Sequence, residues 1–182
     1  MLVSKSTNFS DVLIFTPAVY NDDRGCFFES YNQVVKETLG VYFVQENHSI
    51  SRKNVVRGLH YQWDKPVGKL CRAIRGSLID YVVDIRKDSP TYGQYESFVL
   101  TDQNHWTLWV PPGFAHGFIA LEDNTHLLYK CTALYNKDGE GSINPFDPTI
   151  NIAFPISKDD AILSDKDINA QTFESYSMKP KF

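Results

Sequence analysis

The chain has 182 residues, 42% hydrophobic and 22% charged, with a formal net charge of −4. That length suits one domain with a substantial core, and the acidic balance excludes a dedicated nucleic-acid binder, which shows a basic face. No run of about 18 apolar residues occurs, so no membrane-spanning helix is expected, and no basic-then-apolar leader opens the chain.

Aromatic residues make up 14% of the chain, which favours strands. The first helix expected is Gln33 to Gly40, short and closed by the glycine. Apolar runs at Leu70–Ile74 and Leu78–Ile85 read as strands, the second interrupted by Asp80 and Asp84. Arg75-Gly76-Ser77 between them reads as a hairpin turn. A second turn, Asp88 to Gly93, precedes a strand at Tyr95–Leu100. Trp106–Val110 ends at Pro111-Pro112-Gly113, and strands at Phe118–Leu121 and His126–Ala133 flank the turn Glu122 to Thr125. Short strands at this spacing predict an all-β sandwich or barrel. Asp159 to Leu163, in the more polar tail, opens a short helix or lies across the barrel mouth. Cys26, Cys71 and Cys131 are odd in number and lack metal-ligand spacing, which reads as reduced thiols in the cytoplasm.

Two histidines sit beside glycines in apolar runs, in Arg57-Gly58-Leu59-His60-Tyr61-Gln62 and in Pro112-Gly113-Phe114-Ala115-His116-Gly117-Phe118. Two such runs suggest two strands lining one pocket. Arg57 and His60 are three apart, so a regular strand puts them on opposite faces; a bend at Gly58 would bring them together. Lys69 is either a solvated strand-edge lysine or a cation facing a developing oxyanion. Tyr129 is either half-buried core or a proton donor facing His60. Tyr135 is either wall packing or a surface for stacking a flat ring. Asp167 is ordinary surface charge unless the tail folds back onto His60, where a carboxylate would fix the imidazole tautomer. His116 sits in a motif like the second metal motif of cupins, but Tyr61 and Gln62 after His60 leave the first motif incomplete. The site therefore reads as metal-free.

With those residues assembled, the chain resembles the dTDP-4-dehydrorhamnose 3,5-epimerase family, the RmlC-like cupins, over nearly its whole length. The likeness runs through Asp23-Arg24-Gly25, Phe27-Phe28-Glu29-Ser30, Phe43 to Ser49, Arg57 to Gln62, Gly68-Lys69-Leu70, Val83 to Arg86, Ser89 to Gly93, Phe114 to Phe118, Leu128-Tyr129-Lys130 and Leu163 to Asp167. The resemblance implies an all-β, cupin-type jelly-roll barrel with a few short flanking helices, as one domain spanning 1–182. It also implies a homodimer with shared N-terminal strands, no metal and no organic cofactor. The implied reaction inverts C3 and C5 of a nucleoside-diphosphate 4-keto-6-deoxyhexose through enolates. His60 would be the base, Asp167 its partner, Tyr129 the acid and Lys69 the cation near the C4 oxygen. Arg24, Glu29, Gln45, Asn47, Arg57, His116, Glu140 and Lys166 match substrate-contacting positions, and Tyr135 the residue that stacks on the base. An epimerase of one centre only, and a non-catalytic sugar-nucleotide-binding cupin, are the alternatives. Two places depart from the family pattern: Cys26, where a third aromatic is common, and Ile143 to Pro148. The second suggests relatives acting on modified deoxysugars.

Overall fold

The structure, a computed structural model, describes residues 3–6 and 8–182. Strands β1 (Val3–Ser6) and β2 (Leu13–Thr16) are followed by a separate hairpin, β3 (Tyr20–Asp22) and β4 (Gly25–Phe27), and helix α1 (Gln33–Leu39). Strands β5 (Gln45–Ser51), β6 (Val56–Gln62), β7 (Lys69–Arg75), β8 (Ser77–Asp84), β9 (Tyr95–Thr101), β10 (Thr107–Val110), β11 (Phe114–Ala120) and β12 (Thr125–Cys131) form the body. Strand β13 (Glu140–Ser142) and helices α2 (Asp165–Ile168) and α3 (Phe173–Met178) complete the order. Two antiparallel sheets result, β1-β2-β10-β7-β12-β5 and β13-β6-β11-β8-β9. This is the expected jelly-roll arrangement.

The strands place their side chains by simple alternation. In β8, Leu78 and Val82 face the core between the sheets, while Tyr81 and Val83 join a second core outside the five-stranded sheet. That outer core is closed by the C-terminal segment through Ile143, Ile150, Ile152, Phe173 and Tyr176. Both faces of β8 and β11 are therefore buried, which is why they read as nearly continuous apolar runs. Helix α1 packs Val35 against Phe15, Leu70 and Trp109 on the outside of the six-stranded sheet. Its ends follow the sequence: the Asn32 side chain accepts from the Val34 and Val35 amides, and Gly40 closes it with φ of 62°.

The turn Arg75-Gly76-Ser77 corrects one expectation. Strands β7 and β8 do not pair; β7 lies between β10 and β12, and β8 between β11 and β9. Gly76, with φ of 73°, turns the chain from one sheet to the other instead of closing a hairpin. Local turn chemistry specifies a reversal, and only the packing of two sheets decides whether the partners lie side by side or face to face. The strand expected from Phe118 begins earlier, at Phe114, immediately after the Pro-Pro-Gly break.

Strand β6 carries the irregularity that builds the site. His60 pairs with His116, yet Arg57 pairs with Phe118, so Gly58 and Leu59 of β6 together oppose Gly117 of β11. The extra residue returns Arg57 to the inner face that His60 occupies, as a bulge does. The Gly58–Leu59 peptide bond is cis. Gly58 has φ of 129°, and a Cβ there would lie 2.5 Å from the Gly117 Cα. Gly25 shares that φ but has open space around it. Gly58→Ala is therefore expected to lower stability by about 3 kcal/mol or more, and Gly25→Ala by distinctly less. Thermal melts of the two variants separate backbone conformation from close approach; equal losses would show that the Gly117 contact does not demand the glycine.

Asp84 explains the Val83 to Gly93 block. Its buried carboxylate accepts from the Arg86 backbone amide, from Arg86 Nε at 2.9 Å and Nη2 at 2.8 Å, from Thr91 Oγ1 at 2.6 Å and from Ser89 Oγ. The block is a structural knot holding the β8–β9 turn.

Candidate active site

The site lies between the two sheets, with its functional groups divided between them. On the six-stranded sheet, β5 presents Gln45, Asn47 and Ser49 inward, β7 presents Lys69 and Cys71, and β12 presents Tyr129 and Cys131; Tyr129 pairs with Asn47 on one side and Cys71 on the other. On the five-stranded sheet, β6 presents Arg57 and His60, and β11 presents His116. His60, Lys69 and Tyr129 line both of two adjoining hollows, one extending toward Gln45, Tyr135 and Glu140 and the other toward Arg57, His116 and Asp167.

The tail does fold back. Ile162 exchanges backbone hydrogen bonds with Asn54 and Val56 at the start of β6, and Ser164 then caps α2, accepting from the Asp167 amide. This carries Asp167 to His60: Asp167 Oδ1 lies 2.6 Å from His60 Nε2, across 107 residues of sequence. Ser164 Oγ donates to the other carboxylate oxygen at 2.9 Å. Burial pushes the Asp167 carboxyl up, but the bonds from His60 and Ser164 outweigh it, and the net shift is downward. The carboxylate stays ionised and accepts a hydrogen bond from the Nε2–H of His60. His60 Nδ1, which makes no hydrogen bond to the described residues, is then the lone pair open to the cavity.

Opposite stand an acid and a cation. Burial pushes the Tyr129 phenol above its ordinary range, against smaller opposing effects of Asn47 and Arg57, so it keeps its proton at neutral pH. Burial pulls the Lys69 ammonium down, against the nearby Cys71, Cys131, Asp80 and Glu140. Among the described residues no carboxylate lies within ion-pair distance of Lys69, so its nitrogen is available to donate to an anion in the cavity.

A polar lattice surrounds the hollow that opens toward Gln45. Glu140 accepts from Tyr135 Oη at 3.0 Å and pairs with Lys166 at 2.6 Å. Burial raises the Glu140 carboxyl, but Lys166 and Tyr135 bring it below its usual range. Gln45 donates to Asn47 at 2.8 Å and accepts from the Tyr135 amide at 3.2 Å. Tyr135 itself is 60% exposed, a flat ring held by one end at the cavity rim. Arg57 is anchored through Nε to Ser51 Oγ at 3.1 Å.

Two residues of the expected set are elsewhere in this chain. Arg24, on the β3–β4 hairpin, has a 90% exposed side chain paired, among the described residues, with Asp22, and Glu29 accepts from Asn32 on the surface. Neither lines the hollows around His60. Cys26 is likewise exposed on the hairpin. The Ile143 to Pro148 segment is a scaffold rather than a wall: Ile143 is buried, Phe146 packs on Phe154, and the buried Asp147 accepts from the amides of Thr149, Ile150 and Phe173. Sequence reasoning missed Cys131 and Asp80. Cys131 was reachable by alternation from Tyr129, and Asp80 by asking why a carboxylate interrupts an apolar strand.

A family model described as dTDP-4-dehydrorhamnose 3,5-epimerase matches residues 6–175. The chain belongs to that family. It is 48% identical to the dTDP-4-dehydrorhamnose 3,5-epimerase of Shigella flexneri over 92% of this chain and 93% of that one. It is 45% identical to the protein of the same name from Methanothermobacter thermautotrophicus, over 90% of each. Among solved structures it superposes with a TM-score of 0.90, at 39% identity, on the RmlC epimerase of Legionella pneumophila in complex with dTDP-4-keto-L-rhamnose, covering 96% of this chain and 94% of that one. These likenesses run to 3,5-epimerases; the Ile143 to Pro148 segment packs the core.

Proposed function

We propose that this chain is an epimerase that inverts C3 and C5 of a dTDP-linked 4-keto-6-deoxyhexose, acting on the substrate between its two sheets. The observation that carries the reading is the His60–Asp167 pair on one sheet, facing a cavity that Tyr129 and Lys69 line from the other. A C4 ketone acidifies the hydrogens on both neighbouring carbons, because either carbanion delocalises onto the same oxygen. His60 Nδ1 removes the proton, and the Asp167 carboxylate favours the imidazolium that forms. Lys69 stabilises the enolate oxygen. Tyr129, from the opposite sheet, returns a proton to the other face of the ring, which inverts the centre. Exchange with water then resets His60 and Tyr129. These side chains suffice for the chemistry without a metal or an organic cofactor.

The polar lattice of Gln45, Asn47, Glu140 and Lys166, with the Tyr135 ring, supports a nucleotide at the cavity mouth, and His116 and Arg57 a contact with the sugar-diphosphate end; arginine forks match phosphate oxygens. The chain works as one domain and as a homodimer in the cytoplasm. The exposed hairpin supports the dimer, since Tyr20 and Phe27 are 63% and 68% exposed beside Arg24 and Glu29, and a shared hairpin would bring these two residues to the partner's cavity.

Incubating the protein with dTDP-4-keto-6-deoxyglucose in deuterium oxide tests the function by proton NMR. Loss of both the C3 and C5 signals is expected. Loss of one signal alone would make this a single-centre epimerase, and loss of neither would overturn the substrate assignment. In the same assay Tyr129→Phe is expected to retain more exchange than net inversion, with inversion down about 10²-fold, because proton removal survives while return to the opposite face is lost. Equal loss of both would remove Tyr129 from the acid role.

A further inference from the structure

Beside the His60–Asp167 pair lies a second histidine–carboxylate pair. His116 is the direct register partner of His60 on the neighbouring strand, and its Nε2 lies 2.8 Å from Asp80 Oδ2 on β8. Asp80 has no exposed surface. Its other oxygen, Oδ1, is buried with no hydrogen-bond partner. Burying a carboxylate with one oxygen unsatisfied is costly, and such groups are rare enough that each needs a reason. Asp84, four residues along the same strand, shows what a carboxylate kept for stability looks like, with both oxygens used.

The groups facing this pair complete the picture. Cys71, from the opposite sheet, approaches His116 Nε2 at 3.9 Å, and Lys69 lines the same hollow as His116. Burial holds the His116 imidazole below its ordinary range, against the pull of Asp80. A neutral ring has one N–H and one lone pair. The carboxylate can only accept, so the proton sits on Nε2. The remaining nitrogen, Nδ1, makes no hydrogen bond to the described residues, yet is not among the buried unpartnered atoms; it opens to the hollow.

Resting on the reading of the hollow as a sugar site, we propose that Asp80 is a positioning residue that locks His116 in the Nε2–H tautomer, making Nδ1 an obligate hydrogen-bond acceptor. The group it takes is a donor, a hydroxyl of the hexose, and a bare carbonyl oxygen is rejected there. This divides labour with Lys69, which donates only. The pocket thus has one wall group suited to the keto oxygen and another suited to a hydroxyl, a pairing that fixes which way round the ring lies.

Nitrogen-15 NMR of histidine-labelled protein without substrate reads the tautomer directly. His116 is expected to show a protonated Nε2 and an unprotonated Nδ1 from pH 7 to 8. Asp80→Asn, whose amide can donate as well as accept, is expected to mix the tautomers and lower kcat/KM ~10- to 100-fold, the loss typical when an outer partner orienting a histidine is removed. An Nδ1–H form or an imidazolium in the wild type overturns the proposal. So does a tautomer change in Asp80→Asn with unaltered kcat/KM. A stoichiometric metal retained by the wild type and lost in Asp80→Asn also overturns it, because Asp80, His116 and Cys71 would then be ligands. The spectrum needs no turnover, so a wild-type protein inactive on the sugar would strike the proposed function while the tautomer is still decided.

Discussion

His60→Ala is expected to abolish deuterium incorporation at C3 and at C5 together, by at least about 10³-fold at each. The reason is geometric. A base must reach the carbon-bound proton with a free lone pair, and of the three groups shared by both hollows, His60, Lys69 and Tyr129, His60 is the one with a nitrogen fixed by a buried carboxylate; His116 lines one hollow alone. Tyr129 does not replace it, since burial pushes its phenol up and it holds its proton in the resting site. The two carbons flank the same ketone, so a small shift of the ring presents each in turn to one imidazole. The measurement is proton NMR in deuterium oxide, with circular dichroism confirming the fold, because the change leaves the buried Asp167 carboxylate without its strongest donor. Survival of exchange at one carbon alone would reveal a second base and end the single-base reading.

The largest effect on stability outside the glycines is expected at Asp84. Burial alone would raise its carboxyl, but the bonds from Arg86, Ser89 and Thr91 prevail and bring it from 3.8 down to about 2. A depressed folded-state value stabilises the protein above the unfolded value and ceases to do so as pH falls through the folded one. That contribution, roughly 2 kcal/mol for a shift of this size, is therefore present above about pH 4 and lost between pH 4 and pH 2. Asp84→Asn removes it at neutral pH and weakens the hold on Arg86. The expected cost is about 3 kcal/mol, or roughly 6–12 °C in Tm for a chain of this size. Melts from pH 7 downward should show the wild type and variant converging in acid; curves that stay parallel would mean that the charge of Asp84 is not what stabilises the turn.

These effects also separate what a linear reading reaches from what it does not. Strand alternation and turn residues were sufficient for the all-β class, for α1 from Gln33 to its Gly40 end, and for the separate identities of His60, Lys69 and Tyr129 as candidates. Each of those rests on interactions within a few residues, which the order of side chains specifies. The pairing of Asp167 with His60 does not, because it spans 107 residues and depends on the tail bridging to β6 before α2 is capped by Ser164. Periodicity put Arg57 and His60 on opposite faces unless the strand bends at Gly58, and the bulge against β11 is that bend. The turn at Gly76 was read as a hairpin because its chemistry is local, while the choice between pairing and crossing is made by which sheet each strand completes.

The sequence by itself determined the class of the fold, the ends of its first helix, and a set of residues able to move a proton and hold an enolate. The tertiary structure decided that those residues meet: it set His60 and Tyr129 on opposite sheets, brought the distant Asp167 behind His60, and buried Asp80 behind His116. The physical reason is that secondary structure is written in neighbours along the chain, whereas facing geometry and desolvation exist only once two sheets have closed on each other.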